Sequence, residues 1–247
     1  MIGKIVLGLI AIIALVIFSV FGYLAYSNAP TVTAEGTNTI TAQPDEVNVN
    51  IYISQKNATA EDARNRLAEI SDELLTSLIK LGLERKDIQT EQVSVNPDYN
   101  WYNGRNEIRG YVASQSITVK LKDFNKISKV IDSAVDSGAY VSWINYEISD
   151  EKQSQYKSQT LEAATRDAKR KAEATASGLG KKLGSLVSIQ TPEYGYNPYP
   201  LYRYSGAADM AVASVANAEA KQAALNIQPK DLEISSRVLV KYRVCFW

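Results

Sequence analysis

The sequence predicts an α+β fold in which antiparallel sheets pack against helices as a two-layer sandwich, divisible into two subdomains and preceded by one N-terminal transmembrane helix. Three observations predict it. Residues 5–27 carry no charge. Beyond them, segments of alternating polarity occur in pairs around single helical stretches, and the helical stretches step apolar residues by three and four before ending at Gly. The chain thus divides into an anchor, residues 1–29, and an exported domain, residues 30–247.

The amino-terminal run is "IVLGLIAIIALVIFSVFGYLAYS", with fourteen Ile, Leu, Val or Phe among 23 residues. As a helix it would be about 35 Å long, enough for a hydrocarbon core of ~30 Å. Lys4 and the terminal amine lie on one side and the next charge is Glu35, so the positive-inside rule keeps the amino end cytoplasmic and exports the rest. A cleaved signal peptide is the competing reading, because Ala25-Tyr26-Ser27 fits a small-x-small cut site. The run is longer than a usual h-region of ~7–15 residues, which favours the retained anchor. Both readings place the domain on the periplasmic or extracellular face.

The first strand pair is read at about residues 31–42 and in "EVNVNIYIS", joined at Pro44-Asp45 as a hairpin. A helix follows, capped by Thr59 with Asp62 three residues on, and its stripe is Ala63, Leu67, Ile70, Leu74, Leu78 and Leu81, stopped by Gly82. Val93 and Val95 open a second pair whose other arm alternates from Tyr111 to Leu121, with "NPDYNWYNGRNE" between them as the turn. Asp123 caps a second helix on Phe124, Ile127, Ile131 and Ala134, ended by Gly138. A short strand near Trp143–Ile148 leads to the longest helix, about 151–179, with the stripe Leu161, Ala164, Ala168, Ala172, Ala176 and Leu179. A strand at about 184–191, an Ala-rich stretch that is either helical or loose, and a long amphipathic strand from Leu232 to Val244 complete the order ββ-α-ββ-α-β-α-β-β. If the domain divides, the outer strands go with the first helix and the central β-α-β segment forms the smaller part.

Composition excludes much. Lys plus Arg and Asp plus Glu are both 27, so no net field calls for nucleic acid, and in "RDAKRK" the acids interleaved around the bases read as a solvated helix face. No His is present, which removes Ser-His and Cys-His pairs, His bases and His-ligated zinc. Cys245 is the only Cys, so there is no intrachain disulfide and no multi-Cys cage. Paired carboxylates are the remaining enzymatic option, and no spacing singles out a pair; Asp98 with Glu107 sits in the turn between strands. The expectation is a protein that is not an enzyme, with no catalytic residues, no cofactor and no metal site. Asn57-Ala58-Thr59 matches a glycosylation sequon, but Thr59 already serves as a helix cap.

The segment "PEYGYNPYPLYRY" holds Tyr194, Tyr196, Tyr199, Tyr202 and Tyr204 among prolines that bar it from a central strand. It reads as a semi-rigid exported loop. With Tyr99, Trp101 and Tyr102 of the 96–107 turn, these tyrosines are the candidate contacts for another subunit, an envelope protein or a glycan. The alternative is that they cover the edge of the domain's own core.

Three stretches in order also resemble a family. "GRNEIRGYVASQSITVKLKDFNKISKVIDSAVDSGA", residues 104–139, is similar to the Gly-Tyr-x-Ala-Ser strand and following helix of SIMPL-domain proteins, the YggE-like group. "EAATRDAKRKAEATASGLGKKLGSLVSI", residues 162–189, resembles their Ala-rich helix, Gly-x-x-Leu-Gly turn and next strand, and "IQPKDLEISSRVLVKYRV" resembles their closing strand. Lys230 departs from the pattern, standing where family members often carry Gly. The resemblance covers nearly all of residues 32–244. It implies an exported or envelope-associated α+β domain, with relatives that protect against oxidative stress and relatives that form large ring-like homo-oligomers, and it carries over no catalytic residues. The expected function is that of a membrane-anchored, non-enzymatic envelope protein, a homo-oligomer or partner binder with a protective role under oxidative or envelope stress. The other reading is an extracytoplasmic ligand-binding module built on the tyrosine segment 194–204.

Overall fold

A computed structural model describes residues 13–19, 30–102, 105–204, 210–225 and 229–245 of the chain. Residues 13–19 are helical. The rest of the apolar run 5–27 lies outside the described residues, and among the described residues no helix is long and apolar enough to cross a membrane.

The elements are β1 (Thr31–Ala42), β2 (Glu46–Asn57), α1 (Ala60–Lys80), β3 (Ile88–Thr90), β4 (Ser94–Tyr102), β5 (Arg105–Leu121), α2 (Ile127–Asp136), β6 (Tyr140–Glu147), α3 (Asp150–Gly178), β7 (Lys182–Tyr196), β8 (Tyr199–Arg203), α4 (Met210–Leu225) and β9 (Leu232–Cys245). They form two units. One comprises the chain up to Ile40, Ser154–Gly195 and the part from Ile234; the other comprises Thr41–Gln153 and Tyr196–Glu233.

The larger unit is built on a six-stranded sheet in the order β3-β5-β2-β6-β8, with β4 also on β5. β2 is antiparallel to both neighbours, pairing Val49 with Val119 and with Ile144. Its alternation works as read: Val47, Val49, Ile51 and Ile53 are fully buried, facing Leu67, Ile70, Leu74 and Leu78 of α1 in one core that also takes Ile127, Val130, Ile131 and Ala134 of α2 and Ala220 of α4. Each such side chain contributes about 1.5–3 kcal/mol by leaving water. α1 starts where its cap predicts. The Thr59 hydroxyl accepts the Asp62 amide at 3.1 Å and donates to the Asp62 carboxylate at 2.7 Å. Asp123 accepts the Asn125 amide at 3.0 Å in the 3-10 turn that opens α2.

Two expectations fail here for identifiable reasons. β1 and β2 do not form a hairpin, because both edges of β2 are taken by β5 and β6 while β1 pairs with β9. The connecting Asp45 is drawn instead to the start of α3, accepting the Ser149 amide at 2.8 Å and hydroxyl at 2.9 Å, with Lys152 at 3.1 Å. The turn expected over 96–107 is mostly strand: β4 runs to Tyr102 and pairs it with Arg105. Pro97 is tolerated because β4 has β5 as its one neighbour and needs no second ladder. Gly110 permits close passage, since a Cβ there would stand 2.6 Å from the Asn57 carbonyl oxygen.

The smaller unit is a three-stranded sheet in the order β1-β9-β7 covered by α3. Ala164, Ala168, Ala172 and Ala176 are buried against Val32, Ala34, Val238 and Val240. The stripe is small because β1 comes very near: a Cβ on Gly36 would lie 2.0 Å from the Ala164 carbonyl oxygen and 2.4 Å from the Ala168 nitrogen. Thr160 and Ser236, both buried, share a hydrogen bond between their hydroxyls at 2.7 Å, and the Thr160 hydroxyl also donates to the Tyr156 carbonyl at 2.9 Å. Leu179, expected in the stripe, is 65% exposed, since α3 ends at Gly178 and the chain turns at Gly180 with φ 66°.

On the outer face of α3 Glu162 pairs with Arg166 at 3.0 Å and Asp167 with Lys171 at 2.7 Å. Asp167 also binds Arg170 at 2.6 Å and accepts the Thr37 amide at 3.2 Å. Lys171, the Thr37 amide and Arg170 hold its carboxyl down at about 2. The division into units is the reverse of the one expected. α1 belongs with β2–β6, while α3 and β7 join the outermost strands β1 and β9.

Two outcomes follow for the smaller unit. Gly36→Ala should destabilise the protein by at least the roughly 1–3 kcal/mol typical of overpacking, read as a lower denaturant midpoint, whereas Gly178→Ala, with nothing within 4 Å, should be near neutral. Because the folded pKa of Asp167 is depressed, its stabilisation is complete above the unfolded value of 3.8 and fades as pH falls toward about 2. Asp167→Asn should therefore lower the Tm at neutral pH and flatten the Tm profile between those two values.

Candidate functional site

The tyrosine segment is not a loop. β7 continues through Pro192 to Tyr196, and β8 carries Tyr199 to Arg203 along β6, pairing Tyr146 with Tyr199, Asn145 with Pro200 and Ile144 with Tyr202. Both strands are at sheet ends, which is where the missing proline N–H groups do no harm. The exclusion of a central strand therefore holds, and the inference of a loop does not.

The tyrosines have separate environments. Tyr194 is half-buried under the Lys157 ammonium, 5.1 Å from its ring centre, with its hydroxyl unpartnered and its pKa raised by burial. Tyr196 uses its hydroxyl to accept the Ile148 amide at 2.8 Å. Tyr202 lays its ring on the core and donates to the Ala216 carbonyl at 3.0 Å; burial pushes it up to about 12. Tyr199 is 38% exposed and Tyr99, on β4, is 52% exposed. Trp101 and Tyr102 lie on β4, with their side chains outside the described residues.

Tyr204 belongs to a cluster that the sequence reading missed. Its ring meets Tyr140 edge-on at 5.8 Å, and Tyr140 meets Tyr52 at 5.4 Å. Burial, then Tyr52 and Tyr204, push Tyr140 up to about 12. Tyr52 lies in the alternating segment "EVNVNIYIS", where nothing local marked its distant partners.

These residues belong to the face of the six-stranded sheet turned away from the core, which is polar. Glu46, Asn48, Asn50 and Tyr52 alternate with the core residues of β2. Asn50 donates to the Thr118 hydroxyl at 2.9 Å and accepts from Ser142. Glu46 is 9% exposed, with Lys120 3.8 Å from its carboxylate. Burial pushes Glu46 upward; Lys120 opposes the shift, and Glu147, Asp150 and Asp45 add to it.

Among the described residues three clefts can be compared. The largest, about 680 Å³, lies between α1 and β3 and is lined by Leu75, Ile79, Ile88, Lys80, Arg85 and Asp72. One of about 300 Å³ opens beside Glu46, Lys120, Asp123 and Lys126, and one of about 230 Å³ beside Thr39, Ser235 and Arg237. Among the described residues no three His, Cys, Asp or Glu side chains converge as a metal cage. Asp98 is ion-paired with Lys56, while Glu107 stands opposite Asn100 in the β4–β5 register.

The most unusual surface is β7. From Ser185 to Thr191 every residue is exposed, including Leu186 at 48%, Val187 at 42% and Ile189 at 49%. Neighbouring residues on a strand point to opposite sides, so both faces and the outer edge are open. The sequence showed the strand, but its neighbours decide whether it is covered.

Comparison with known proteins finds relatives of similar sequence. A protein of Escherichia coli K12 named "Uncharacterized protein YggE" is 26% identical over 177 residues, 71% of each chain. The "26 kDa periplasmic immunogenic protein" of Brucella melitensis is 27% identical over 177 residues, 70% of each. The Edwardsiella ictaluri YggE is 26% identical over 187 residues, 74% of this chain and 76% of its own. The family model described as "SIMPL: Protein of unknown function (DUF541)" matches residues 32–242, from β1 into β9, and the chain belongs to that family.

Proposed function

We propose that the chain is a membrane-anchored, non-enzymatic protein of the cell envelope, held by residues 5–27 with its domain outside the cytoplasm, and that it acts by assembling with further copies of itself along β7. The observation that carries this is the exposed run of β7 at the end of its sheet. An unpaired strand edge presents a row of free N–H and C=O groups, and soluble proteins normally guard it with charge, proline or a cover. Between Lys182 and Pro192 β7 has neither charge nor proline. Antiparallel pairing of two copies would extend the sheet across a two-fold axis and bring Leu186, Val187 and Ile189 out of water.

The position outside the cytoplasm is supported by the uncharged amino-terminal run and by the periplasmic name of the Brucella relative. The non-enzymatic reading is supported by the absence of His. Protection against oxidative or envelope stress, implied by the family resemblance, would then depend on assembly and not on turnover. A ligand module built on the tyrosines has less support, because the hydroxyls of Tyr196 and Tyr202 are committed to backbone groups.

Light scattering on the full chain in mild detergent tests the assembly. The protein should elute as an oligomer, and Leu186→Lys with Ile189→Lys should shift it toward monomer while circular dichroism is unchanged. A monomeric wild type, or a variant that assembles equally well, would refute the proposal.

A further inference from the structure

The polar face of the six-stranded sheet holds a second feature. In the β2–β6 register Glu46 stands opposite Glu147 and Asn48 opposite Asn145. Residues two apart on a strand share a face, so the four side chains form a compact square on one surface. Directly opposed residues have Cβ atoms about 4.5–5.5 Å apart, and like charges in such positions repel.

Two further facts point to a missing partner. Asn48 is 6% exposed, and neither its Oδ1 nor that of Asn145 receives a hydrogen bond. Buried carbonyl oxygens are normally satisfied. The surrounding charge does not supply what is lacking. Lys120, opposite Asn48 on β5, reaches Glu46 at 3.8 Å. Asp45 is occupied by Ser149 and Lys152.

We propose that Glu46 and Asn48 of β2 with Asn145 and Glu147 of β6 form a site for a hard divalent cation, with Ca²⁺ the best match. The donors are two carboxylates and two amide oxygens, a set without the sulfur or imidazole that softer metals favour. Ca²⁺ accepts irregular oxygen shells at 2.3–2.6 Å, whereas Mg²⁺ demands near-ideal octahedral geometry. The ion would cancel the carboxylate repulsion and satisfy both amide oxygens. The site draws on oxygen donors, so the lack of His and of Cys cages does not bear on it.

Titration of the full chain, in detergent and stripped of divalent ions, with Tb³⁺ alone tests the site. Half-buried Trp143 lies two residues from Asn145 on the same face and serves as the sensitiser. Saturable Tb³⁺ emission, displaced by Ca²⁺ and accompanied by a Ca²⁺-dependent rise in Tm, is expected. Glu147→Gln and Asn48→Leu should each weaken Ca²⁺ binding by about tenfold or more. Lys120→Gln, which removes a competing cation, should tighten it. Glu147→Gln relieves a like-charge pair and should fold at least as well as wild type without the ion, which separates loss of binding from loss of structure. No saturable emission in the wild type, or unchanged Ca²⁺ affinity in Glu147→Gln, would overturn the proposal.

Discussion

The larger unit depends on one constraint: β2 must be hydrogen-bonded on both edges at once, to β5 and to β6. Its register sets the rest, because a slip of one residue would turn Val47, Val49, Ile51 and Ile53 away from α1 and bring Glu46, Asn48 and Asn50 into the core. That double pairing bars β1 from joining β2, despite the short link between them, and leaves β1 to β9. The polar square of glutamates and asparagines is the other side of the same register. It exists because the residues opposite them on β2 and β6 are locked to the core face.

The smaller unit rests on close approach instead of bulk. α3 contributes methyl groups where α1 contributes leucines, and Gly36 lets the β1 backbone lie against the helix. Such packing gains less area per residue than an Ile/Leu core but tolerates less change, since the nearest atoms are backbone and cannot rotate away.

Much of this was legible along the chain. Helix starts at Thr59 and Asp123, the stripe of α1, that of α3 except Leu179, and the amphipathic β9 follow from local rules and were found where those rules put them. What could not be read are relations between distant segments. Pro192 and Pro200 excluded a central strand correctly, yet whether they sit in loops or on edges depends on β9 and β6. The hairpin at Pro44-Asp45 was a sound local inference overridden by the competition for β2. Tyr52, Tyr140 and Tyr204 come together only through strand pairing, so no spacing announces them. The exposure of β7 is likewise a property of what fails to cover it.

The order of segments in the smaller unit has a kinetic consequence. Its sheet is assembled from β1, β7 and β9, stretches far apart in the chain, and its middle strand, β9, is the most C-terminal of the three. Contacts of such sequence separation form slowly. If the chain emerges amino end first across a membrane, β1 and β7 wait without their shared neighbour, and β7 then has two bare edges in place of one. Folding and association draw on the same strand during that interval. How fast β9 arrives would then govern whether β7 meets its own sheet or another chain first.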